Sequence, residues 1–294
     1  MFGNIKYHLI KLFRRSVLLF QNIYLIKFRF FQNKSFQTII KDNREYLNKN
    51  APFFTQDEFS VNDYGMSKSI FININKPIKE FQTYSDILQF SSQFLNKKFF
   101  NYLEIGTSVM KNFYQMDNYF HSSKLIAYDI NPIPNKYKKN YVEYGFLDNR
   151  NTCNCYISHT KNELYYFKGS VLEISDSKLF KKYFPDKFDI VFSDALHTKN
   201  GVISEYQNII KNNLNDEFIL YFDDLDFPEL LITTLEIYRD LQVDKKKLFF
   251  TTFKTYGWVG QHERMHLNGI ISNIDFYSIF KENDIYLPRL KRID

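Results

Sequence analysis

The sequence has little cysteine, with only 2 Cys among 294 residues. Cys153 and Cys155 stand two residues apart in a polar stretch, so a disulfide framework is excluded and a reducing, cytoplasmic compartment is predicted. His159 follows, but no second cysteine pair completes the ligand set of a structural zinc site. Cysteine therefore provides neither covalent stabilisation nor a strong metal site.

The sequence also has no apolar run long enough to cross a membrane. The longest uncharged run near the start, residues 16–26, falls far short of the roughly 20 apolar residues of a spanning helix. No small-residue cleavage site follows it, which argues against a secretory signal. Residues 5–31 nevertheless combine apolar and basic side chains, and two interpretations stay open: a peripheral helix on anionic lipid, or an arm packed on the domain or on a second subunit of a homo-oligomer.

Positive charge is present but not concentrated. The net charge of +6 comes from lysines spread along the whole chain. Without a Lys/Arg stripe or an aromatic RNA-binding signature, a nucleic-acid partner is not expected. The length suits one α/β domain with an extension, and we place the extension and a poorly specified linking region at residues 1–82 and the domain at residues 83–294.

Five short apolar stretches predict buried strands, each followed by an acid or a small residue. Most are separated by helical patterns, which is typical of a doubly wound, mostly parallel α/β sheet with one ligand-binding edge. Two later apolar stretches predict an antiparallel edge pair. The seven stretches are residues 99–105, 124–128, 164–167, 187–193, 218–222, 247–253 and 268–274.

Small and acidic residues at the strand ends form the candidate ligand site. Residues 106–108 follow the first strand and precede a helical pattern, so this turn would direct backbone N–H groups at a ligand. Asp129 follows the second strand, 25 residues after Glu104, where an acceptor for a ribose hydroxyl pair is expected. Asp194 ends another strand at the same edge. The long stretch between Asp129 and Gly169 predicts an insertion over this edge.

Over roughly residues 83–280 these features resemble the class I S-adenosylmethionine-dependent methyltransferases. The stretch Leu-Glu-Ile-Gly-Thr at residues 103–107 is similar to the family's first motif, although the usual glycine-rich turn is reduced to Gly106, with Ser108 and Met110 where further glycines are common. The resemblance implies a Rossmann-like methyltransferase sheet with a helical N-terminal extension. It also implies S-adenosylmethionine as cofactor, held by Glu104, Gly106, Thr107, Ser108, Asp129, Gly169, Ser170, Val171 and Asp194.

The later motifs resemble a narrower group, the metal-dependent O-methyltransferases of natural-product sugars and the cephalosporin hydroxylase-like proteins. The resemblance implies Asp194, Asp223 and Asp224 as ligands of a divalent cation, with Asp194 and His197 catalytic and His197 the base. Carboxylates are hard ligands suited to Mg²⁺, which lowers the pKa of a bound hydroxyl. An imidazole accepts a proton near neutrality. The expected function is a metal-assisted O-methyltransferase for a small hydroxylated acceptor such as a sugar.

Two other functions remain as alternatives. A catalytically silent methyltransferase-like domain, acting as an interaction or membrane module, is favoured by the reduced glycine turn. A zinc metallopeptidase is raised by His-Glu-Arg-Met-His at residues 262–266, a pattern that works only on a helix. Glycines at 257, 260 and 269 and the following strand pattern predict a loop or edge strand there, so we interpret this match as coincidence.

Overall fold

The computed structural model describes residues 32–50, 82–108, 110–133, 142–146, 153–244, 247–257 and 265–293. The predicted N-terminal arm and residues 51–81 of the linking region lie outside these ranges. None of the described helices combines the length and the hydropathy needed to span a membrane.

Helices alternate with strands along the described chain. The strands are β1 (Asn101–Ile105), β2 (Lys124–Asp129), β3 (Val142–Phe146), β4 (Cys153–Ile157), β5 (Glu163–Lys168), β6 (Phe188–Ser193), β7 (Leu214–Phe222), β8 (Phe249–Thr255), β9 (His266–Ser272) and β10 (Lys291–Ile293). The helices are α1 (Lys34–Asn50), α2 (Tyr84–Ser92), α3 (Lys111–Tyr119), α4 (Ile174–Tyr183), α5 (Lys199–Glu205), α6 (Pro228–Asp244) and α7 (Phe276–Glu282), and α5 continues into the π-helical stretch Tyr206–Ile210.

Within the described ranges ten strands form one sheet, in the order β10-β8-β9-β7-β6-β1-β2-β5-β4-β3. The five central strands, β5 to β7 in this order, are parallel. The predicted doubly wound, parallel core of an α/β fold is therefore confirmed. The predicted antiparallel pair is also present as β8 and β9, and β9 lies between β7 and β8.

The sheet contains more antiparallel strands than the single edge pair predicted from the sequence. β10 pairs antiparallel with β8, while β4 and β3 add antiparallel strands beyond β5. The stretch that we expected to form an insertion over the ligand edge thus contributes two strands to the end of the sheet. In β4 the side chains of Cys153 and Cys155 are buried while Asn154 between them is half-buried, the two-residue alternation of a strand.

The central strands are apolar throughout because both faces of the sheet are covered. Leu103 and Ile105 pack in the core on one face, and Tyr102 packs in the core on the other. In β2, Ile126 joins the first core and Leu125 the second. Strands buried on both faces read as continuous apolar runs, which explains why the sequence located them.

Helix α1 belongs to this folded unit, although its second half falls in the stretch that we predicted to be a poorly specified linking region. Phe36, Ile40 and Leu47 are buried along one side of the helix. Beside them Arg44 donates through Nη2 to Asp86 Oδ2 over 2.7 Å, and both side chains are buried. Asp86 Oδ2 also accepts from the Thr83 N–H at the start of α2. Polar residues on the buried face of α1 interrupt the helical spacing of its apolar residues, so the sequence did not indicate the helix.

We expect Asp86→Asn to lower the free energy of unfolding by about 3 to 5 kcal/mol, because the Arg44 guanidinium would stay buried without its counter-charge. Urea unfolding measures the loss. The matched control is Glu45→Gln on α1, where an exposed ion pair with Lys41 spans 3.6 Å and its removal should cost less than about 1 kcal/mol. Equal losses in the two variants would contradict the role of the buried pair.

Candidate functional site

The turn after β1 brings the ends of β1 and β6 into contact. Gly106 has φ +86, and a Cβ atom on it would lie 2.3 Å from the backbone oxygen of Asp194. The Asp194 N–H donates to Ile105 O over 2.9 Å. Any side chain at position 106 would separate the two strands, so glycine is required by close approach as well as by its dihedral angle.

The residues that replace further glycines in this turn keep a glycine-like backbone. Ser108 has φ 47 and Met110 has φ 56, both in the left-handed region that glycine enters most readily. Such a conformation costs of order 1 kcal/mol or more for an L-residue with a side chain. The turn therefore keeps this conformation with a single glycine.

The carboxylate of Asp129 is held by this turn. It accepts from the Ser108 N–H over 2.9 Å, from the Asn131 N–H over 2.9 Å and from the Thr107 hydroxyl over 3.3 Å. Burial raises the pKa of Asp129, against the effect of these donors. Asp129 thus lies at the end of β2 with its carboxylate held by the turn after β1, and its role as an acceptor for a ribose hydroxyl pair stays a prediction.

A cavity of about 280 Å³ opens beside this turn. Seven of the nine residues predicted to hold the cofactor line it, together with apolar side chains that include Ile130 and Leu196. The seven are Gly106, Ser108, Asp129, Gly169, Ser170, Val171 and Asp194. Thr107 is the eighth predicted residue; it does not line the cavity, but its hydroxyl donates to Asp129.

Glu104, the ninth predicted residue, does not line the cavity. Its carboxyl accepts from the Tyr102 hydroxyl over 2.6 Å and from Asn112 Nδ2 of α3 over 2.8 Å. Burial raises the pKa of Glu104 well above its ordinary value. Side chains two apart on a strand share a face, so Glu104 points with Tyr102 toward the side covered by α3. Its observed contacts tie β1 to α3.

A second polar cluster lies at the same edge, where β6, β7 and β9 meet. His197 Nε2 is 3.2 Å from Asp194 Oδ1, and His197 Nδ1 is 3.2 Å from Asp224 Oδ2. The other oxygen of Asp224 contacts Nδ1 of His266, and the Asp224 N–H donates to Asp223 Oδ1 over 2.7 Å. The Asp224 carboxylate therefore bridges two imidazoles, one half-exposed and one buried.

Electrostatic interactions in this cluster alter its titration. The hydrogen bond to Asp194 raises the pKa of His197 to about 9, with further contributions from the charges of Asp194 and Asp224. Burial raises the pKa of Asp194, and burial together with its acidic neighbours raises that of Asp223 well above its usual range. In this arrangement the predicted base His197 carries a proton at neutral pH, because two carboxylates hold it.

The structure groups the candidate metal ligands differently from the sequence. Among the described residues, the ligand atoms of Asp223, Asp224 and His266 all lie within 4.8 Å of one another. Asp194, which we predicted as the third ligand, lies outside this group and engages His197 instead. No local signal joined His266 to the two acids, because the contact depends on the position of β9.

His266 is also the second histidine of the zinc-peptidase pattern. It begins strand β9 and pairs with Thr255 of β8. Residues 262–264 of the pattern lie outside the described ranges. We expected a loop or an edge strand rather than a helix; at His266 the structure has a strand, but β9 lies between β7 and β8 and not at the edge of the sheet.

A buried carboxyl supports the loop that carries Asp194 and His197. Glu205 Oε2 accepts from the Ser193 hydroxyl over 2.5 Å, and the Glu205 side chain is almost fully buried. Burial raises the pKa of Glu205 to about 7. The start of the loop from β6 to α5 is thus held by the close contact of Gly106 with Asp194 and by the hydrogen bond from Ser193 to Glu205.

Comparison with family models gave no match, and comparison with curated protein sequences gave no significant match. Solved structures with a similar fold include a Klebsiella pneumoniae protein assigned as an O-methyltransferase, at 13% identity, 78% coverage of this chain, 94% of that chain and a TM-score of 0.42. A Staphylococcus aureus protein assigned as a caffeoyl-CoA O-methyltransferase has 13% identity, coverages of 78% and 99%, and a TM-score of 0.41.

A third similar structure is spermidine synthase from Thermotoga maritima, with 15% identity, coverages of 65% and 59%, and a TM-score of 0.37. Similarity at this level does not identify the reaction, because one fold hosts several chemistries.

We expect Glu205→Gln to raise the free energy of unfolding, relative to the unmutated protein, by more at pH 8 than at pH 5. A carboxyl whose pKa is higher in the folded than in the unfolded state binds more protons when folded, so its contribution to stability is lost as pH rises toward about 7. The neutral amide removes this loss, which corresponds to about 2 to 4 kcal/mol. Urea unfolding at both pH values measures it. As a control, Glu236→Gln at an exposed carboxyl should change stability by less than about 1 kcal/mol, and a pH-independent effect of Glu205→Gln would contradict the expectation.

Proposed function

We propose that the chain is an S-adenosylmethionine-dependent O-methyltransferase that acts on a hydroxyl of a small acceptor, such as a sugar, with the assistance of a divalent metal. The observation that carries the proposal is the placement of two sites at one sheet edge. Asp194 belongs to both sites. It lines the cavity together with Gly106 and Asp129, and it contacts His197 of the cluster that also contains Asp223 and Asp224.

The cavity suits an adenosine-containing cofactor. Asp129 offers a carboxylate to a ribose hydroxyl pair, and residues 169–171 with Ile130 offer small and apolar surface to a flat base. Gly106 lines the cavity, so the turn presents backbone to a ligand there without a side chain. The volume of about 280 Å³ lies just below the range of about 300 to 1,000 Å³ that is usual for small-molecule sites.

The neighbouring cluster suits proton removal from an acceptor hydroxyl. S-adenosylmethionine, when bound, supplies a methyl group on a positively charged sulfur. The acceptor oxygen would form a bond to this carbon as the carbon–sulfur bond breaks, and the hydroxyl would have to lose its proton. Asp194 lines the cavity and contacts His197, so the pair can orient the acceptor. Asp223 and Asp224 would hold the cation that polarises the hydroxyl, and its charge would offset the carboxylate charges that keep His197 protonated. Neutral His197 could then take up the hydroxyl proton.

A catalytically silent domain is the second candidate function, favoured by one observation. The Asp129 carboxylate already accepts hydrogen bonds from the protein's own Ser108 and Asn131 N–H groups. If these contacts persist with ligand present, fewer acceptor sites remain for ribose. Calorimetric titration with S-adenosylmethionine and S-adenosylhomocysteine separates the two functions, because a silent domain would bind neither.

We expect Asp129→Ala to weaken S-adenosylhomocysteine binding by about 1.5 to 3 kcal/mol, since a charged acceptor is removed. Isothermal titration calorimetry on folded protein measures the change. The matched control is Asp186→Ala, an exposed acid paired with Lys124 at the start of β2, at the opposite sheet edge. Unchanged affinity in folded Asp129→Ala would rule out this placement of the cofactor.

We expect His197→Ala to lower turnover by roughly 10² to 10⁴ if His197 is the general base. S-adenosylhomocysteine release with a panel of hydroxylated acceptors, sugars included, measures turnover, and the affinity for the cofactor should change little.

Activity that persists undiminished in EDTA would contradict metal assistance.

A further inference from the structure

The cluster of Asp223, Asp224 and His266 lies where two adjacent strands meet: the acids directly follow β7, and the histidine begins β9. β7 and β9 pair antiparallel with Phe222 opposite Gly269, so the end of one strand meets the beginning of the other. The turn after β7 is tied to β9 twice: the Leu225 N–H donates to Leu267 O over 2.7 Å, and the Leu267 N–H donates to Asp226 Oδ2 over 2.7 Å. These bonds fix the two acids against the histidine.

All three residues are largely buried. Asp223 and Asp224 are each 8% exposed and His266 is 5% exposed. Buried carboxylates are stable only when paired or when they coordinate a cation. Asp224 is paired with the imidazoles of His197 and His266. The convergence of two carboxylates and one imidazole, with ligand atoms within 4.8 Å, is also an arrangement that can coordinate a cation.

We infer that this chain holds a first-row transition-metal dication, such as Mn²⁺, through Asp223, Asp224 and His266. The inference rests on the proposed metal-assisted function. It replaces the site predicted from the sequence, in which Asp194, Asp223 and Asp224 would hold Mg²⁺. The geometry supports the exchange because the ligand atoms of Asp223, Asp224 and His266 lie within 4.8 Å of one another, whereas Asp194 is not part of this group.

The chemistry of the donor set decides which cation fits. Mg²⁺ requires oxygen ligands in near-ideal octahedral geometry and keeps much of its water. An imidazole nitrogen suits the borderline transition metals, and mixed nitrogen and carboxylate sites bind them with affinities that rise from Mn²⁺ to Co²⁺ and beyond. One histidine in place of a third carboxylate therefore moves the preference away from Mg²⁺.

The test is a metal titration of the full chain without cofactor or acceptor. Loss of the free Mn²⁺ electron paramagnetic resonance signal measures Mn²⁺ binding, and Mg²⁺ is added as competitor. We expect one Mn²⁺ per chain, bound at least about tenfold more tightly than Mg²⁺. With Co²⁺, a visible absorption band that changes in His266→Asn would report nitrogen ligation.

Variants separate the two ligand sets. His266→Asn and Asp223→Asn should each weaken Mn²⁺ binding by about tenfold or more, whereas Asp194→Asn should weaken it by less than about threefold. His121→Asn, at an exposed histidine before β2, is the matched histidine control. Circular dichroism and thermal unfolding verify that each variant is folded.

Three results would overturn the inference: Mg²⁺ binding as tight as Mn²⁺ binding, an unchanged Mn²⁺ affinity in folded His266→Asn, or equal losses in Asp194→Asn and Asp223→Asn. Titration with S-adenosylhomocysteine on the metal-free chain is independent of these outcomes. Absence of that binding would refute the proposed methyltransferase function while the metal result stood.

Discussion

The site depends on one steric constraint, the contact between Gly106 and the backbone of Asp194. Strand β1 can approach β6 this closely only without a side chain at position 106. Because the strands are parallel, with Ile105 opposite Ser193, their carboxyl ends then lie together. Asp194 lines the cavity and contacts His197 of the neighbouring cluster, so it can serve both sites.

The central strands could be predicted because their signal is local. Each is buried on both faces and reads as an apolar run, and parallel strands place their following residues at one edge. This is why Asp129 and Asp194 were located correctly at the strand ends. Helix α1 was missed because Asn43 and Arg44 lie within its buried face, where their hydrogen-bonding partners are on α2 rather than nearby in sequence.

The rest of the candidate site could not be predicted because it depends on long-range pairing. Glu104 was assigned to the cofactor from its motif, whereas strand alternation places its side chain with Tyr102 on the face that α3 covers. His266 was singled out for its match to a helical pattern, and only the insertion of β9 beside β7 shows that it meets Asp224. Sequence patterns identified both residues but did not establish their partners.

The position of β9 also has a consequence for the order in which the chain can acquire its site. Asp224 and His266 are 42 residues apart, and β9 must insert between β7 and β8, which precede it in the chain. Non-local pairing of this kind is slow because loop closure is costly before contacts compensate for it. During synthesis the cavity residues emerge from the ribosome well before the histidine. Asp224 therefore meets its histidine partner only after a further 42 residues have been made.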